Sequence, residues 1–335
     1  MNFPAELLSQ SIILAGPTAS GKSALAMLLA ERLGGEIVAL DSMTVYRGMD
    51  IGTAKPTRAD CERVPHHMLD VVDPEEEFSV AEYLRQSAVA IEGILERGRI
   101  PLIVGGTGLY LRAMLRGMTA GPEADWELRR LWEQRAREHG PEWLHATLRE
   151  MDPAAAARLH PNDMRRIIRA IEVFELTGRP ISAGQQHGVR AGGMAARLAV
   201  WLDPERDWLR ERIGQRVDVM MRLGWLDETR TLFERTPGPG RTAGQALGYR
   251  ELAGHLRGET TLEAAVAQIR TLTCQFAKRQ YTWFRSLGEC TGIRVTGEES
   301  VEELAARVLS IPQTRTGRGS RQAANPESGV NERGL

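Results

Sequence analysis

Cysteine, lysine and long apolar stretches are all scarce in this chain of 335 residues. The three cysteines, Cys61, Cys274 and Cys290, form no CxxC pair, which argues against a disulfide framework and a structural zinc site. The longest apolar runs, such as Ile12–Ala15, are far shorter than the ~20 residues that span a bilayer. We therefore expect a cytoplasmic protein with no membrane contact.

An excess of charge of either sign is also missing, since 43 basic and 44 acidic side chains give a net charge of −1. This balance excludes a polycation that coats nucleic acid over its whole surface, but it leaves room for a local basic groove. Only three basic residues are lysines, namely Lys22, Lys55 and Lys278. Each of them lies inside a motif described below.

Short apolar runs at 11–15, 36–40 and 100–104 are typical of buried parallel strands. Helical spacing follows the first run at 23–33, and a capping box at Ser79 and Glu82 begins another helix before the third run. Strands that alternate with helices predict an α/β fold with a doubly wound parallel sheet of the P-loop NTPase type.

The chain is too long for one ordinary core. From 122 to about 190 it shows helical signals only, including a helix capped by Asn162, and an apolar strand pattern returns at 198–202. Long helices are predicted over 210–234 and 261–287. We therefore predict a catalytic core of 1–120 and 196–310, a helical insertion of 121–195 that contacts RNA, and a disordered tail of 311–335.

A phosphate loop is predicted where residues 16–23 match G-x-x-x-x-G-K-[ST] between a strand and a helix. Converging N–H groups and the helix N-terminus favour a di- or triphosphate, with Lys22 on the terminal phosphate and the Ser23 hydroxyl on Mg²⁺. The predicted phosphate-binding residues are Gly16, Pro17, Thr18, Ala19, Ser20, Gly21, Lys22 and Ser23.

Hydrolysis of a nucleoside triphosphate would need a second acidic ligand, usually an Asp at the end of an apolar strand. The strand at 100–104 is followed by two glycines instead, and Asp41 ends the strand at 36–40. The loop therefore fits a diphosphate that leaves, without the apparatus of an NTPase, and Asp41 needs a different role.

Eight segments in order resemble one family, the tRNA dimethylallyltransferases or tRNA isopentenyltransferases. They are 16–23 (GPTASGKS), 41–42 with 45–47 (DS, VYR), 50–56 (DIGTAKP), 66–67 (HH), 105–110 (GGTGLY), 160–173 (HPNDMRRIIRAIEV), 245–250 (QALGYR) and 277–285 (AKRQYTWFR). The phosphate loop alone is unspecific, whereas the ordered set is highly specific and covers the chain up to about residue 310.

The resemblance implies transfer of a dimethylallyl group from dimethylallyl diphosphate to the exocyclic N6 amine of the adenosine 3′ of the anticodon, tRNA position 37. The phosphate loop with Lys22, Mg²⁺ on Ser23 and Arg216 would bind the leaving diphosphate. Asp41 resembles the general base that takes the amine proton, and Thr107 resembles the threonine that holds this amine. We expect the protein to act as a monomer.

The resemblance also implies contacts with the anticodon stem-loop of tRNA. Around the target base they are Asp41, Ser42, Met43, Thr44 and Thr107. In the insertion they are Arg165, Arg166, Ile167, Ile168 and Arg169. Nearer the C-terminus they are Gln245, Ala246, Leu247, Gly248, Tyr249, Arg250, Lys278, Arg279, Gln280, Tyr281, Thr282, Trp283, Phe284 and Arg285. Cys274 stands where the family usually has a basic residue, so one RNA contact is expected to be missing or moved.

Three other functions stay open at this point. A P-loop nucleotide or metabolite kinase would need the acidic strand end that the sequence does not show. An enzyme that prenylates free AMP would not need the basic segments. An RNA-binding protein without activity would not need an intact Lys22, Ser23, Asp41 and Thr107. A zinc site at His66 and His67 is disfavoured, because adjacent strand residues point apart.

Overall fold

The fold is built on one sheet of six parallel strands in the order β3-β2-β4-β1-β5-β6. The computed structural model describes residues 2–118, 121–183 and 196–313. The strands are β1 (Ile12–Ala15), β2 (Gly35–Leu40), β3 (His66–His67), β4 (Ile100–Gly105), β5 (Leu198–Pro204) and β6 (Thr291–Val295). The predicted α/β fold with a doubly wound parallel sheet is confirmed.

Helices connect the strands and follow them on both faces of the sheet. Those among the described residues are α1 (Ala5–Gln10), α2 (Lys22–Leu33), α3 (Arg58–Arg63), α4 (Val80–Glu96), α5 (Gly108–Arg116), α6 (Trp126–His139), α7 (Pro141–Met151), α8 (Pro153–Ala156), α9 (Met164–Thr177), α10 (Arg206–Arg222), α11 (Trp225–Glu234), α12 (Arg241–Gly244), α13 (Tyr249–Leu256), α14 (Leu262–Arg285) and α15 (Val301–Ser310). No helix in these ranges is both long and apolar enough to cross a membrane.

Strand order decides where the functional residues meet. Strand β4 lies between β1 and β2, although it comes after both in sequence. Gly105 ends β4 so close to β2 that a Cβ there would lie 2.1 Å from the Leu40 carbonyl oxygen. Only glycine permits this approach. The carboxyl ends of β2, β4 and β1 therefore form one continuous edge, the usual ligand site of open α/β sheets.

Apolar side chains of the sheet divide between two layers of helices. On one face, Leu14 belongs to a buried cluster with residues of α2 and α15, such as Leu25 and Leu304. On the other face, Ile13 belongs to a cluster with residues of α4 and α5, such as Ile91. Both layers shield the sheet from water, so β1 and β2 are buried throughout.

Helices α6–α9 enclose a separate apolar cluster that includes Trp132, Leu144 and Ile167. The division into core, insertion and tail stays a prediction. Residues 184–195 of the predicted insertion, and 314–335 of the predicted tail, lie outside the described residues.

Three sequence-based expectations about elements are wrong in detail. The helix predicted over 210–234 is two helices, because Gly224 adopts a left-handed backbone with φ of 97° between α10 and α11. Asp163, not Asn162, caps α9 by accepting a hydrogen bond from the Arg166 N–H at 3.4 Å. Strand β6 was not predicted, because it is largely exposed, whereas the strand assumed at His66 and His67 is present as β3.

Candidate active site

The phosphate loop connects β1 to the first residue of α2. Ala19 and Gly21 both have positive φ, 63° and 88°, so the loop turns sharply before the helix begins at Lys22. The Ser20 hydroxyl is buried and has no hydrogen-bond partner in the described part of the chain. A buried polar atom needs a partner, and the Ser20 hydroxyl lies beside the N-terminus of α2, whose N-cap Gly21 offers no side chain. Both features fit the oxygens of a bound phosphate.

Two helices supply the positive charge around this loop. Lys22 of α2 donates to the Pro17 carbonyl at 3.2 Å, and Arg216 of α10 donates through Nη1 to the Thr18 hydroxyl at 3.1 Å. Arg212, one turn earlier on α10, donates through Nε to the Ala19 carbonyl at 3.0 Å. The structure thus places Arg216 on the phosphate loop, next to the residues with which it was grouped from sequence.

The cations of this site lie close enough to perturb one another. Burial lowers the pKa of Lys22 to about 8, repulsion from Arg216 acts in the same direction, and the charge of Asp41 opposes both. Burial also lowers the pKa of Arg216. An ammonium with a depressed pKa is stabilised when an anion binds beside it. The site therefore favours an anionic ligand such as a diphosphate.

Asp41 follows the last residue of β2 and is partly exposed. One carboxylate oxygen, Oδ1, accepts a hydrogen bond from the Met43 N–H at 2.8 Å, which fixes the orientation of the group. Oδ2 accepts no hydrogen bond within the described residues. A carboxylate that is held by one oxygen and free at the other can accept a proton from a ligand.

Thr107 lies beside Asp41 because its turn is tied to the end of β2. Its N–H donates to the Leu40 carbonyl at 3.2 Å, and its hydroxyl oxygen accepts from the Ser42 N–H at 3.1 Å. The hydroxyl proton stays available, because a hydroxyl that accepts can still donate. The predicted catalytic pair, Asp41 and Thr107, is thus brought together with Lys22 at three neighbouring strand ends.

Buried tyrosines line the protein side of Asp41. The rings of Tyr83 and Tyr110 stack with centroids 4.3 Å apart, and the Tyr83 hydroxyl donates to the Ala39 carbonyl at 3.0 Å. Burial raises the pKa of both phenols, and the Asp41 charge contributes. Buried aromatic rings lower the polarity of this side of the site, which strengthens electrostatic interactions there.

The model of the IPP transferase family matches residues 44–287. The chain belongs to this family. It is 52% identical to the tRNA dimethylallyltransferase of Symbiobacterium thermophilum over 301 residues. This aligned region covers 90% of this chain and 94% of the relative. It is 48% identical over 287 residues to that of Geobacter metallireducens, across 86% and 93% of the two chains. The resemblance stated from sequence is confirmed.

Solved structures of relatives share the fold of this IPP transferase. The full-length tRNA isopentenylpyrophosphate transferase of Bacillus halodurans is 39% identical with a TM-score of 0.64, across 90% of this chain and 96% of that one. A eukaryotic dimethylallyltransferase, described as acting on tRNA, is 29% identical with a TM-score of 0.75, across 90% and 78%.

The structure of this IPP transferase separates its predicted tRNA contacts by exposure. The exposed residues among them are Arg165, Arg166, Gln245, Arg250, Lys278, Arg279, Thr282 and Arg285. Partly exposed ones are Ser42, Met43, Arg169, Leu247, Tyr281 and Trp283. Buried residues are Thr44, Ile167, Ile168, Ala246, Gly248, Tyr249, Gln280 and Phe284.

Two of the buried residues have defined partners inside the protein. The Tyr249 ring packs edge-on against Trp225, and its hydroxyl donates to Glu228 at 2.6 Å, so it is not free to stack on a base. Gln280 hydrogen-bonds the phosphate loop and the turn before Thr107. Their presence in the matched segments therefore has a structural reason that sequence reasoning missed.

Cys274 lies on the phosphate-loop side of α14. With Trp208 it packs against a small apolar cluster of Ala19, Leu209, Ile213 and Ala277. An apolar thiol suits this place, because its neighbours are carbon-rich side chains. Cys274 thus packs against the phosphate loop through Ala19, and the next basic residues of α14, Lys278 and Arg279, are exposed one turn later.

In the IPP transferase site the Ser23 hydroxyl, in the first turn of α2, is a side chain suited to hold magnesium. Among the described residues, no three acidic, His or Cys side chains cluster around a possible metal position. A hydroxyl oxygen is a hard donor that fits Mg²⁺, and in phosphate-loop sites the ligand and water supply the other oxygens. His66 and His67 have separate partners, the Val64 carbonyl and Glu36.

Proposed function

We propose that this IPP transferase moves a dimethylallyl group from dimethylallyl diphosphate to the N6 amine of the adenosine 3′ of the anticodon, position 37 of tRNA. The proposal rests on one observation: the phosphate loop, Asp41 and Thr107 meet at the ends of three adjacent strands. A donor that ends in a diphosphate and an acceptor that must lose a proton need these two kinds of site side by side. The relatives, which are tRNA dimethylallyltransferases by name, support tRNA as the acceptor.

The diphosphate half of the site is built from backbone and cations. The loop N–H groups, the buried Ser20 hydroxyl, Lys22 and Arg216 surround the place of the diphosphate. They bind most strongly when the bond between carbon and the diphosphate oxygen breaks, because negative charge then develops on the leaving group. Mg²⁺ held by Ser23 would supply further positive charge to that oxygen.

The second half of the site, which contains Asp41 and Thr107, binds the N6 amine and accepts its proton. The N6 nitrogen forms a bond to C1 of the dimethylallyl group while the bond from C1 to the diphosphate oxygen breaks. The amine lone pair is delocalised into adenine, so one N–H proton must leave as the new bond forms. Oδ2 of Asp41 accepts it, and the Thr107 hydroxyl holds the amine beside this carboxylate. A positioned base of this kind contributes ~10²–10⁴ in rate.

The acceptor adenosine has to leave the anticodon stack to reach this site. Exposed basic residues provide phosphate contacts that would hold the loop in register, among them Arg165 on α9 and Lys278, Arg279 and Arg285 on α14. Recognition of tRNA rather than free AMP follows from these two helices, since AMP is too small to reach them.

The deciding experiment incubates the purified chain with Mg²⁺, labelled dimethylallyl diphosphate and an unmodified tRNA that has adenosine at position 37. Label on that adenosine, with release of diphosphate, is the expected result. A tRNA with guanosine at position 37 is the matched control and should stay unlabelled. Labelling of AMP but not tRNA, or phosphoryl transfer from ATP, would overturn the proposal.

A further inference from the structure

Gln280 stands apart from its neighbours on α14. Its side chain is only 4% exposed, whereas Lys278, Arg279 and Thr282 around it point to solvent. A buried amide has to be hydrogen-bonded to offset its desolvation. The partners of this amide show what the residue does.

Both halves of the amide are used, and each holds a different loop. The carbonyl oxygen Oε1 accepts from the Thr18 N–H at 2.9 Å, and the nitrogen Nε2 donates to the Gly106 carbonyl at 2.9 Å. A backbone N–H can only donate and a carbonyl can only accept, so the orientation of the amide is fixed. One side chain thus connects the phosphate loop after β1 with the turn after β4.

Steric fit confines this connection. A Cβ at Gly106 would lie 2.2 Å from Gln280 Nε2, and a Cβ at Gly108 would lie 2.7 Å from Trp283 Cβ. Helix α14 therefore packs directly against the turn at 105–108 (GGTG). The glycines of that turn permit this close contact because they have no side chains. Thr107 lies between these two glycines, so the packing of α14 against the turn also determines the position of the Thr107 hydroxyl.

Thr18 is held from two sides. Gln280 binds its N–H and Arg216 binds its hydroxyl at 3.1 Å. The Thr18 N–H is thereby directed to protein rather than to a ligand. The arrangement fixes the entrance of the loop and leaves the N–H groups nearer α2 for phosphate.

We propose that Gln280 is a positioning residue of the diphosphate half of the site, which holds the phosphate loop and the Thr107 turn in one fixed geometry. It acts on the donor substrate through Thr18 and Gly106, and it is not a tRNA contact. The assignment rests on the proposed function, in which both loops bind parts of one reaction.

The test compares Gln280→Met, which keeps the length but removes both hydrogen bonds, with wild type. Calorimetry measures the Kd of inorganic pyrophosphate with Mg²⁺, and filter binding measures the Kd of tRNA. We expect pyrophosphate binding to weaken about tenfold, because the phosphate loop is no longer held in its binding geometry, and tRNA binding to change less than about twofold. Gln268→Met on the exposed face of the same helix is the control and should match wild type in both.

Two further variants test the same role in case Gln280→Met does not fold. Gln280→Glu keeps the acceptor for Thr18 but loses the donor for Gly106 and adds a negative charge, so pyrophosphate binding should again weaken. Gly106→Ala displaces the amide from the opposite side and should do the same, with little added effect in the Gln280→Met background. The KM for dimethylallyl diphosphate should rise in each variant while the KM for tRNA holds.

Wild-type pyrophosphate affinity in Gln280→Met, or a loss of tRNA affinity alone, would overturn the positioning role and leave the proposed function intact. Failure of the wild-type chain to bind pyrophosphate or dimethylallyl diphosphate would overturn the proposed function, and the role of Gln280 with it. A Gln268→Met variant that is as weak as Gln280→Met would also count against the assignment.

Discussion

Lys22, Arg216 and Asp41 lie on three different elements, and their charges set the electrostatics of the site. Burial disfavours the ammonium of Lys22, and the nearby guanidinium of Arg216 disfavours it further, against attraction by Asp41. Before any ligand binds, the two cations therefore repel each other across the site. A bound diphosphate attracts both cations and offsets this repulsion. Its binding should therefore depend on the protonation of Lys22.

The affinity for dimethylallyl diphosphate should fall as the pH rises above about 8, where Lys22 of the free protein loses its proton. Below this pH the ammonium is already present, so affinity should be flat. Above it, binding must take up a proton, and the Kd should rise up to about tenfold per pH unit. Calorimetry from pH 7 to 9.5 in buffers of different ionisation enthalpy checks both the slope and the proton uptake.

Lys22→Arg is the matched control for this dependence. A guanidinium stays charged over the whole range, so the Kd of this variant should be weaker at pH 7, because its geometry differs, but flat with pH. A wild-type Kd that is also flat up to pH 9.5 would contradict the role given to the ammonium.

Asp41→Asn tests the proton acceptor at the same scale. The amide fills the same space but cannot accept the amine proton, so turnover should fall by ~10²-fold or more. Binding of tRNA and of pyrophosphate should stay close to wild type. Single-turnover transfer of labelled dimethylallyl group is the measurement, and equal rates in variant and wild type would remove Asp41 from this role.

Helix α9 illustrates how one element divides basic residues between structure and surface. Arg169 pairs with Glu172 and donates to the Pro122 carbonyl at 2.8 Å. Arg129 of α6 also pairs with Glu172, at 2.9 Å, and the carboxylate is completely buried. Arg166 pairs with Asp163 at the start of the helix. Arg165 forms no ion pair within the described residues and is free to bind phosphate.

The arginines of α9 should therefore respond differently to removal. Arg165→Ala and Arg166→Ala should weaken tRNA binding and lower its salt dependence by about one ion each, with no effect on pyrophosphate binding. Filter binding at several salt concentrations measures the slope. Unchanged slopes in both variants would show that α9 does not contact tRNA.

Arg169→Ala should instead lower the free energy of unfolding by about 1–3 kcal/mol, because it leaves a buried carboxylate with one partner fewer. Urea unfolding measures this change, with Arg165→Ala as the control of equal chemistry on the same helix. Stability equal to wild type would mean that Arg129 alone satisfies Glu172.

At the scale of the whole molecule, Glu228 joins segments that are far apart in sequence. From α11 it accepts the N–H groups of Asp50, Ile51 and Gly52 at 2.8–3.1 Å, and the Tyr249 hydroxyl at 2.6 Å. The DIGTAKP segment is thus held against α13. The same segment needs Gly52, because a Cβ there would lie 2.0 Å from Trp225 Nε1.

Glu228→Ala should cost about 1–3 kcal/mol of stability, because it leaves several backbone donors and a phenol without their acceptor. Urea unfolding is the measurement. Glu234→Ala is the matched control, an exposed residue of the same helix, and should be neutral within about 0.5 kcal/mol. Equal stability of the two variants would show that water replaces the Glu228 carboxylate.

Lys55 explains part of the lysine pattern noted at the start. Its side chain is 5% exposed, and its ammonium donates to the Tyr46 carbonyl at 2.6 Å and to Asp50 at 2.7 Å, with Asp70 as a third partner. Three acceptors around a point suit an ammonium better than a planar guanidinium. Lys278 is exposed, and nothing in the structure explains a lysine rather than an arginine there.

The sequence by itself determined the local chemistry of this protein. The phosphate loop was readable because its glycines, its lysine and its place between a strand and a helix depend on neighbouring residues only. The strands at 11–15, 36–40 and 100–104 were readable because buried parallel strands are continuously apolar. The role expected of Asp41 came from a resemblance, since a strand-end aspartate has no local signature.

Only the tertiary structure decided which residues meet. Strand β4 inserts between β1 and β2 and so brings Thr107 beside Asp41, a pairing that depends on contacts distant in sequence. The inward direction of Gln280 and Tyr249, within segments otherwise rich in exposed basic residues, follows from how α14 and α13 pack. A sequence motif indicates that a residue is important. Its burial and its hydrogen-bond partners show its role, and these arise only in the folded chain.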